Sequence, residues 1–357
     1  MNRMSSSISG SDRQTDARPA WRRWLAVFCG TFAGAGALLY ALLLLIDPYD
    51  TGRFPGFPIT GTGDHTLKTA AASHGRDPRF NASVIGNSTG QLLDPYRLHR
   101  ETGLRFNQLA IAGAAPREQL TVMRWVISHH PAYDAFVIVT DPSWCWSNPD
   151  PPLVYPFPFW LYGSDLDYLA NVLSAKALDR AVYRIGIALG LMQPADPVAY
   201  FDYTKAVQVV FTPEPEAPGN PADARQPAPQ LPWIERLHAF LATLPSNVRV
   251  VVAMPPVYFT ALPRPGTAEA DRIDACKAAL ARLASGRPKT SFIDFRVDTE
   301  LAHDATDFLD PTHYRHNLAN YMEAKIISLL RSGETGTATA ADAPLIAVKS
   351  QPRDHAP

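Results

Sequence analysis

The sequence lacks the features that mark several large functional classes. Its three cysteines, Cys29, Cys145 and Cys276, are too few for a disulfide framework, and no C-x-x-C pair or zinc-type Cys/His spacing occurs. No metal site and no organic cofactor is expected. Charge is balanced: 33 Lys and Arg against 34 Asp and Glu leave a formal net charge of −1. No basic run stands out beyond the N-terminus, which argues against a nucleic-acid partner. Internal repeats are missing, and so, between residues 24 and 46, is every charged side chain.

That last absence is the first positive signal. At about 1.5 Å per residue, residues 24–46 are long enough to cross a hydrocarbon core of roughly 30 Å. A cleaved signal peptide has a shorter apolar region and a small-residue cleavage site. Here the run ends in four leucines and Ile46, followed by Asp47, Pro48, Tyr49 and Asp50, so a retained anchor is expected. Arg18, Arg22 and Arg23 precede the run and Asp47 and Asp50 follow it. By the positive-inside rule, residues 1–23 form a cytoplasmic tail. The expectation is a single-pass protein of the inner membrane, with its main domain in the periplasm or otherwise outside the cytoplasm.

Residues 47–332 alternate strand-like and helix-like segments. Short apolar runs at 82–85, 106–111, 135–139, 248–254 and 292–295 read as strands, the third without a single polar residue. Helices are expected from about residue 89, over 117–129, 165–192, 233–244 and 272–285, and from the D-x-x-H motif to about 331. This order predicts an α/β domain of three layers, with a mostly parallel, flavodoxin-like sheet and right-handed crossovers. The Pro/Ala-rich stretch 213–232 reads as a surface insertion and residues 333–357 as a disordered tail.

In such a sheet, chemistry gathers at the carboxyl ends of the strands. Ser88, Gly113 and Asp141 each follow a strand directly, and three places in the chain could supply the parts of a site. Ser88 follows the first strand in Gly86-Asn87-Ser88-Thr89-Gly90, a turn that exposes a side chain and sets its N–H near a helix start, unless Ser88 is simply a helix N-cap. Gly113 follows the second strand, where a glycine lets a backbone N–H approach a substrate, or where it is an ordinary turn residue. Asp310 and His313 share one loop, Asp310-Pro311-Thr312-His313, and that spacing lets the carboxylate reach a ring nitrogen. A serine hydroxyl needs a histidine to take its proton, a carboxylate to orient the histidine, and fixed donors for the oxyanion.

Serine after strand one, glycine after strand two and D-x-x-H before the last helix together resemble the SGNH/GDSL hydrolase family over residues 80–330. The membrane-anchored arrangement is similar to proteins of alginate O-acetylation and of lipoteichoic-acid D-alanylation. The resemblance implies Ser88 as nucleophile, His313 as general base and then acid, Asp310 as its partner, and the N–H groups of Ser88 and Gly113 as oxyanion donors. It also implies an ester-linked acyl substrate, such as acetyl on an exported polysaccharide, and a membrane acyltransferase as a candidate partner. The chain departs from the family in its third block, where many members have a donor asparagine. Here Asp141 follows strand three, and an ionised carboxylate cannot donate. Asn148 is a further candidate donor. The same serine also fits the G-x-S-x-G elbow of α/β-hydrolases, but that fold needs strands before its serine, and residues 47–82 show none.

Residues 142–163 are dense in aromatics. Trp144, Trp146, Tyr155 and Trp160, with Phe157, Phe159 and Tyr162, would line a sugar-binding groove or pin a Pro-rich loop to the domain. Cys145 and Cys276 would pair in an oxidising compartment if their Cα atoms lie close enough. Two functions of different class follow: a membrane-anchored serine esterase or O-acyltransferase, or a non-catalytic glycan-binding component of an envelope acylation complex.

Overall fold

The computed structural model describes residues 20–54, 61–63, 67–206, 210–213 and 230–339. Residues 1–19 of the expected cytoplasmic tail, 214–229 of the Pro-rich insertion and 340–357 of the C-terminal tail lie outside the described residues.

Helices α1 (Ala20–Ile46) and α2 (Leu67–His74) precede strand β1 (Ala82–Ile85). Helix α3 (Pro95–Thr102) leads to β2 (Phe106–Gln108), and α4 (Pro116–His129) to β3 (Ala135–Val139). Between β3 and β4 (Arg249–Met254) come α5 (Phe159–Tyr162), α6 (Asp165–Asn171), α7 (Ala175–Ala188), α8 (Tyr203–Ala206) and α9 (Pro232–Ala242). Helix α10 (Ala268–Ser285) precedes β5 (Thr290–Asp294). Helices α11 (Glu300–His303) and α12 (His316–Ser332) precede β6 (Gly336–Thr339).

The six strands form one sheet in the order β2-β1-β3-β4-β5-β6, and every pairing is parallel. Strand residues alternate between two apolar layers. Ile85, Phe136, Ile138, Val250, Val252 and Phe292 pack with Leu120 and Met123 of α4, Leu237 of α9 and Leu280 of α10. Val84, Val137, Val139, Val251 and Ile293 pack with Leu98 of α3 and Leu318, Met322 and Ile326 of α12. Both faces are therefore covered, which is why β3 could be apolar at every position. The chain winds from β1 to β2, then crosses back to β3 on the other side of β1. That reversal opens a crevice beyond the carboxyl ends of β1 and β3.

Local chemistry sets the element ends. Asp94 accepts from the Tyr96 N–H and Pro95 opens α3, so the helix expected at residue 89 starts six residues later, after a single 3-10 turn at Ser88–Gly90. The helical stretch expected over 165–192 is two helices, because Ser164 and Asp167 form a capping box for α6 and Ser174 caps α7. The expected tail past residue 332 contributes a strand: β6 pairs with β5, Ser291 opposite Gly336 and Asp294 opposite Thr339. Its Gly-Thr-Ala-Thr sequence has none of the large apolar side chains that mark the other strands, because it is an edge strand.

Within Trp21–Ile46 of α1 an 18-residue window has a mean hydropathy of 2.0, and the helix is long and apolar enough to cross a membrane. Its last turns join a third apolar cluster in which Leu43 and Tyr49 pack with Tyr168, Val172, Ala177 and Ala181.

Candidate active site

Ser88 begins the 3-10 turn that leaves β1. The cap of that turn is Asn87, whose Oδ1 accepts from the Thr89 N–H at 3.0 Å and from the Thr89 hydroxyl at 2.7 Å. The cap role open to Ser88 is thus taken by its neighbour, and the Ser88 hydroxyl is left to face other chemistry. Gly90 lets the turn sit against the sheet: a Cβ there would lie 3.2 Å from Ala110 Cβ and 3.3 Å from Val139 Cβ.

The Asp310–His313 loop closes on itself. Phe308 and Tyr314 form an antiparallel bridge, the Leu309 N–H donates to the His313 carbonyl at 2.8 Å, and the Arg315 N–H donates to the Asp307 carbonyl at 2.7 Å. The two oxygens of Asp310 divide the work. Oδ1 accepts from the Thr312 N–H (2.7 Å), the Thr312 hydroxyl (2.9 Å) and the His313 N–H (2.9 Å), which sets the loop. Oδ2 faces His313 Nδ1 at 2.7 Å. Partial burial pushes the Asp310 carboxyl up, but the bonds from His313 and Thr312 outweigh it and hold the group well below the usual carboxylate range. An ionised Asp310 makes Nδ1 the protonated nitrogen, leaving Nε2 as an acceptor. Ser88 Oγ lies 2.8 Å from that Nε2.

Ser88 and His313 are 225 residues apart, and buried tyrosines hold them in register. Tyr314 is fully buried, and its hydroxyl donates to the Thr89 carbonyl in the serine turn. The Tyr203 hydroxyl donates to the Tyr314 carbonyl at 2.8 Å, and its ring meets the His313 ring edge-on at a centroid distance of 5.8 Å. The Tyr258 N–H donates to the Pro311 carbonyl at 2.9 Å. Sequence reasoning missed all three. Tyr314, adjacent to the histidine and large enough to reach across a loop, is the one a sequence signal could have found.

Gly113 has φ +69°, a left-handed conformation that disfavours a side chain. The segment before it continues along β1, with the Leu109 N–H donating to the Val84 carbonyl (2.8 Å) and the Ile111 N–H to the Gly86 carbonyl (3.0 Å). Gly113 therefore lies in the turn that ends this extended segment, a short step beyond the level of Gly86. Tyr155 packs over it: a Cβ on Gly113 would lie 2.7 Å from the Tyr155 ring.

Asp141 leaves β3 beside the same turn. It accepts from the Asn87 side-chain amide, from the Ser143 N–H at 2.9 Å and from the Ser143 hydroxyl. Burial dominates and pushes its carboxyl up, against the Ser143 bonds and the charge of Arg296, which pull it down. With three donors aimed at it, Asp141 is an acceptor that ties β3 to the nucleophile turn.

The other candidates lie elsewhere. Asn148 is exposed; its Oδ1 accepts from the Asp150 N–H at 2.9 Å and its carbonyl from the Trp233 indole at 2.9 Å. Its contacts are with α9 and its own loop, so it is not brought to Ser88. Trp144 has no exposed surface and donates from its indole to Gln119 Oε1 at 3.2 Å; it is a core residue and cannot line a groove. Trp146 packs partly buried on that core. Trp160 packs with Tyr49 and Tyr168 where α1 meets the domain. Of the four, only Tyr155 is well exposed near the site, with Lys68 Nζ 4.4 Å from its ring centroid. Cys145 and Cys276 are bonded, their Cα atoms 5.4 Å apart, joining the loop after Asp141 to α10.

Chemically, the Ser88–His313–Asp310 chain can remove the serine proton as Oγ attacks a carbonyl, then return it to a leaving oxygen. The backbone N–H groups of Ser88 and Gly113 donate to no group among the described residues, which leaves them free for an oxyanion. Compared with known families and curated proteins, the chain matches no family model and no curated relative, so its chemistry is read from this geometry.

Proposed function

We propose that this chain is a membrane-anchored serine esterase or O-acyltransferase acting outside the cytoplasm on ester-linked acyl groups, such as acetyl on an exported polysaccharide. One observation carries it: Ser88 Oγ lies 2.8 Å from His313 Nε2, and His313 Nδ1 lies 2.7 Å from Asp310. Ser88 attacks the ester carbonyl, His313 takes the proton, and the oxyanion turns toward the N–H groups of Ser88 and Gly113. Collapse releases the alcohol, protonated by His313, and leaves an acyl-serine. Water then gives hydrolysis, and a sugar hydroxyl gives transfer. Three features support the likeness to SGNH hydrolases: the parallel sheet, the serine at its first strand and the D-x-x-H loop before the last helix. Arginines before the apolar run of α1 and acids after it support an outward-facing domain, as does the buried Cys145–Cys276 bond, since such bonds persist in oxidising compartments.

Asp141 motivates the second reading, a glycan binder with a vestigial site, because it accepts where a donor would serve an oxyanion. Hydrolysis of p-nitrophenyl acetate by the full chain in detergent separates the two, with labelling by a fluorophosphonate probe alongside. Turnover and labelling that both disappear in Ser88→Ala support the enzyme. A wild type that neither labels nor exceeds the no-enzyme rate rejects it in favour of the binder.

A further inference from the structure

A cleft of about 780 Å³ lies between residues 51–53, the outer face of α4 and the α5–α6 segment, and no triad residue lines it. Its volume is that of a small-molecule site. Its place is set by α6. Asp165 lines the cleft, and four residues later the Leu169 carbonyl accepts from the Tyr40 hydroxyl of α1 at 2.8 Å. Four helical residues rise about 6 Å, so the cleft opens roughly one helical turn from that contact. Residues 21–39 of α1 are exposed throughout, whereas Leu43 is buried by the domain. The part of this stretch within the charge-free run, residues 24–39, rises about 24 Å, most of the hydrocarbon thickness of a bilayer. If α1 spans the membrane, residues 40–46 stand at its outer surface and the cleft faces the head-group layer.

The lining is suited to an anion with hydroxyl groups. Arg124 is exposed on α4 and makes no hydrogen bond or ion pair among the described residues. Arg53 is held by Asp165 and by the carbonyls of Leu161 and Gly163, with its Nε buried and unbonded. Burial pushes His129 down, its bond to the Trp125 carbonyl pushes it up, and the positive charges of Arg76 and Arg53 push it down; Asp165, the carboxylate in the lining, is paired with Arg53. Thr121 and Ser128 already donate their hydroxyl protons to the carbonyls of Arg117 and Trp125. Each hydroxyl oxygen is then left to accept, and Ser128 Oγ also lies 3.0 Å from His129 Nδ1. A free guanidinium matches a phosphate oxygen pair, and acceptor oxygens beside it match hydroxyl donors.

We propose that this cleft binds the phosphate ester of a membrane lipid whose head group carries free hydroxyls, with Arg124 on the phosphate and Thr121 and Ser128 accepting from the hydroxyls. The site rests on the reading of α1 as a membrane anchor and is independent of the triad. Such a contact would hold the domain at a fixed orientation on the membrane surface.

The test uses the detergent-solubilised full chain and water-soluble dihexanoyl lipids, with affinity read by thermophoresis. Dihexanoyl phosphatidylglycerol should bind saturably, and the phosphatidylcholine analogue, which has no free head-group hydroxyl, at least about tenfold more weakly. Arg124→Ala, and separately Thr121→Glu, should each weaken phosphatidylglycerol binding about tenfold, with p-nitrophenyl acetate hydrolysis unchanged. No saturable binding of phosphatidylglycerol by the wild type overturns the site, as does wild-type affinity in both variants. Inorganic phosphate binding as tightly as the lipid overturns the lipid assignment. Carbonate extraction of native membranes checks the anchor separately, so a failure of the cleft is not mistaken for a failure of α1 or of Ser88.

Discussion

Asp310 and Asp50 are both carboxylates gripped by several donors, one beside the serine and one where α1 meets the domain. The Asp310 side chain is about half exposed, at 47%, and its donors belong to its own loop and to His313. Asp50 is 3% exposed and its partners come from across the chain: Arg76 donates to Oδ1, Arg184 Nη1 forms an ion pair with the same oxygen at 2.9 Å, and the Gly61 N–H and the Ser73 hydroxyl donate to Oδ2. Asp50 also takes φ +51°, a conformation disfavoured for a residue with a side chain. A half-exposed carboxylate costs little to keep ionised and can orient a neighbour that must change protonation. A buried one must stay charged and fully paired, and so it serves to lock segments together. The contrast separates a working site from a structural joint, and substitutions can break or sharpen it.

The largest effect belongs to the reacting atoms. Ser88→Ala and His313→Ala should each lower ester hydrolysis by about four orders of magnitude or more, with unchanged circular dichroism and thermal midpoint. Next, Asp310→Asn should lower kcat by roughly a thousandfold or more, because Nδ1 loses the acceptor that fixes its tautomer, again in a folded protein. Asp50→Asn should do the reverse. Breaking a buried ion pair costs about 3–5 kcal/mol of stability, visible as a lower urea midpoint, while kcat per folded molecule stays near wild type. Equal losses of kcat from Asp50→Asn and Asp310→Asn would erase the distinction.

A smaller effect is expected from the Cys145–Cys276 bond, which closes a long loop behind Asp141, 131 residues in sequence separation. Reduction should cost about 2–5 kcal/mol, read as a lower thermal midpoint with added dithiothreitol, and a midpoint indifferent to reductant would argue against its structural weight. The smallest effect is acid sensitivity. A carboxyl held low in the folded state contributes stability that is present above the unfolded pKa, near about 4, and is lost as pH falls through its folded value. Urea midpoints of wild type and Asp310→Asn should therefore converge as the pH is lowered from 7 toward 2.5. Exposure keeps the difference small.

Much of this site is legible in the amino-acid sequence. Asp310 and His313 share one loop whose spacing implies contact, the resemblance to SGNH hydrolases joins Ser88 to them, and the apolar character of β1, β3 and β4 marks them as strands. What stayed hidden has physical causes. Trp144 reads either as a groove aromatic or as one that pins its loop to the domain, because composition does not say which way a ring points, and the second holds: it is a core residue hydrogen-bonded to Gln119. Strand β6 carries no large apolar side chain, so its pairing with β5 is a backbone event without a sequence signature. The competing cap role of Ser88 was resolved only by Asn87 taking it.

The sequence alone determined the apolar span of α1, the α/β alternation and the Asp310–His313 spacing, because periodicity and motif spacing are local properties of the chain, while Ser88 entered as their partner through a family resemblance. Tertiary structure decided the rest: that Tyr314 ties the histidine loop to the serine turn, that Asp141 accepts and does not donate, that Cys145 meets Cys276, and that Asp50 joins α1 to α7. Each of these depends on atoms brought together from distant positions, and no local pattern encodes a distance between residues that only the packed sheet makes neighbours.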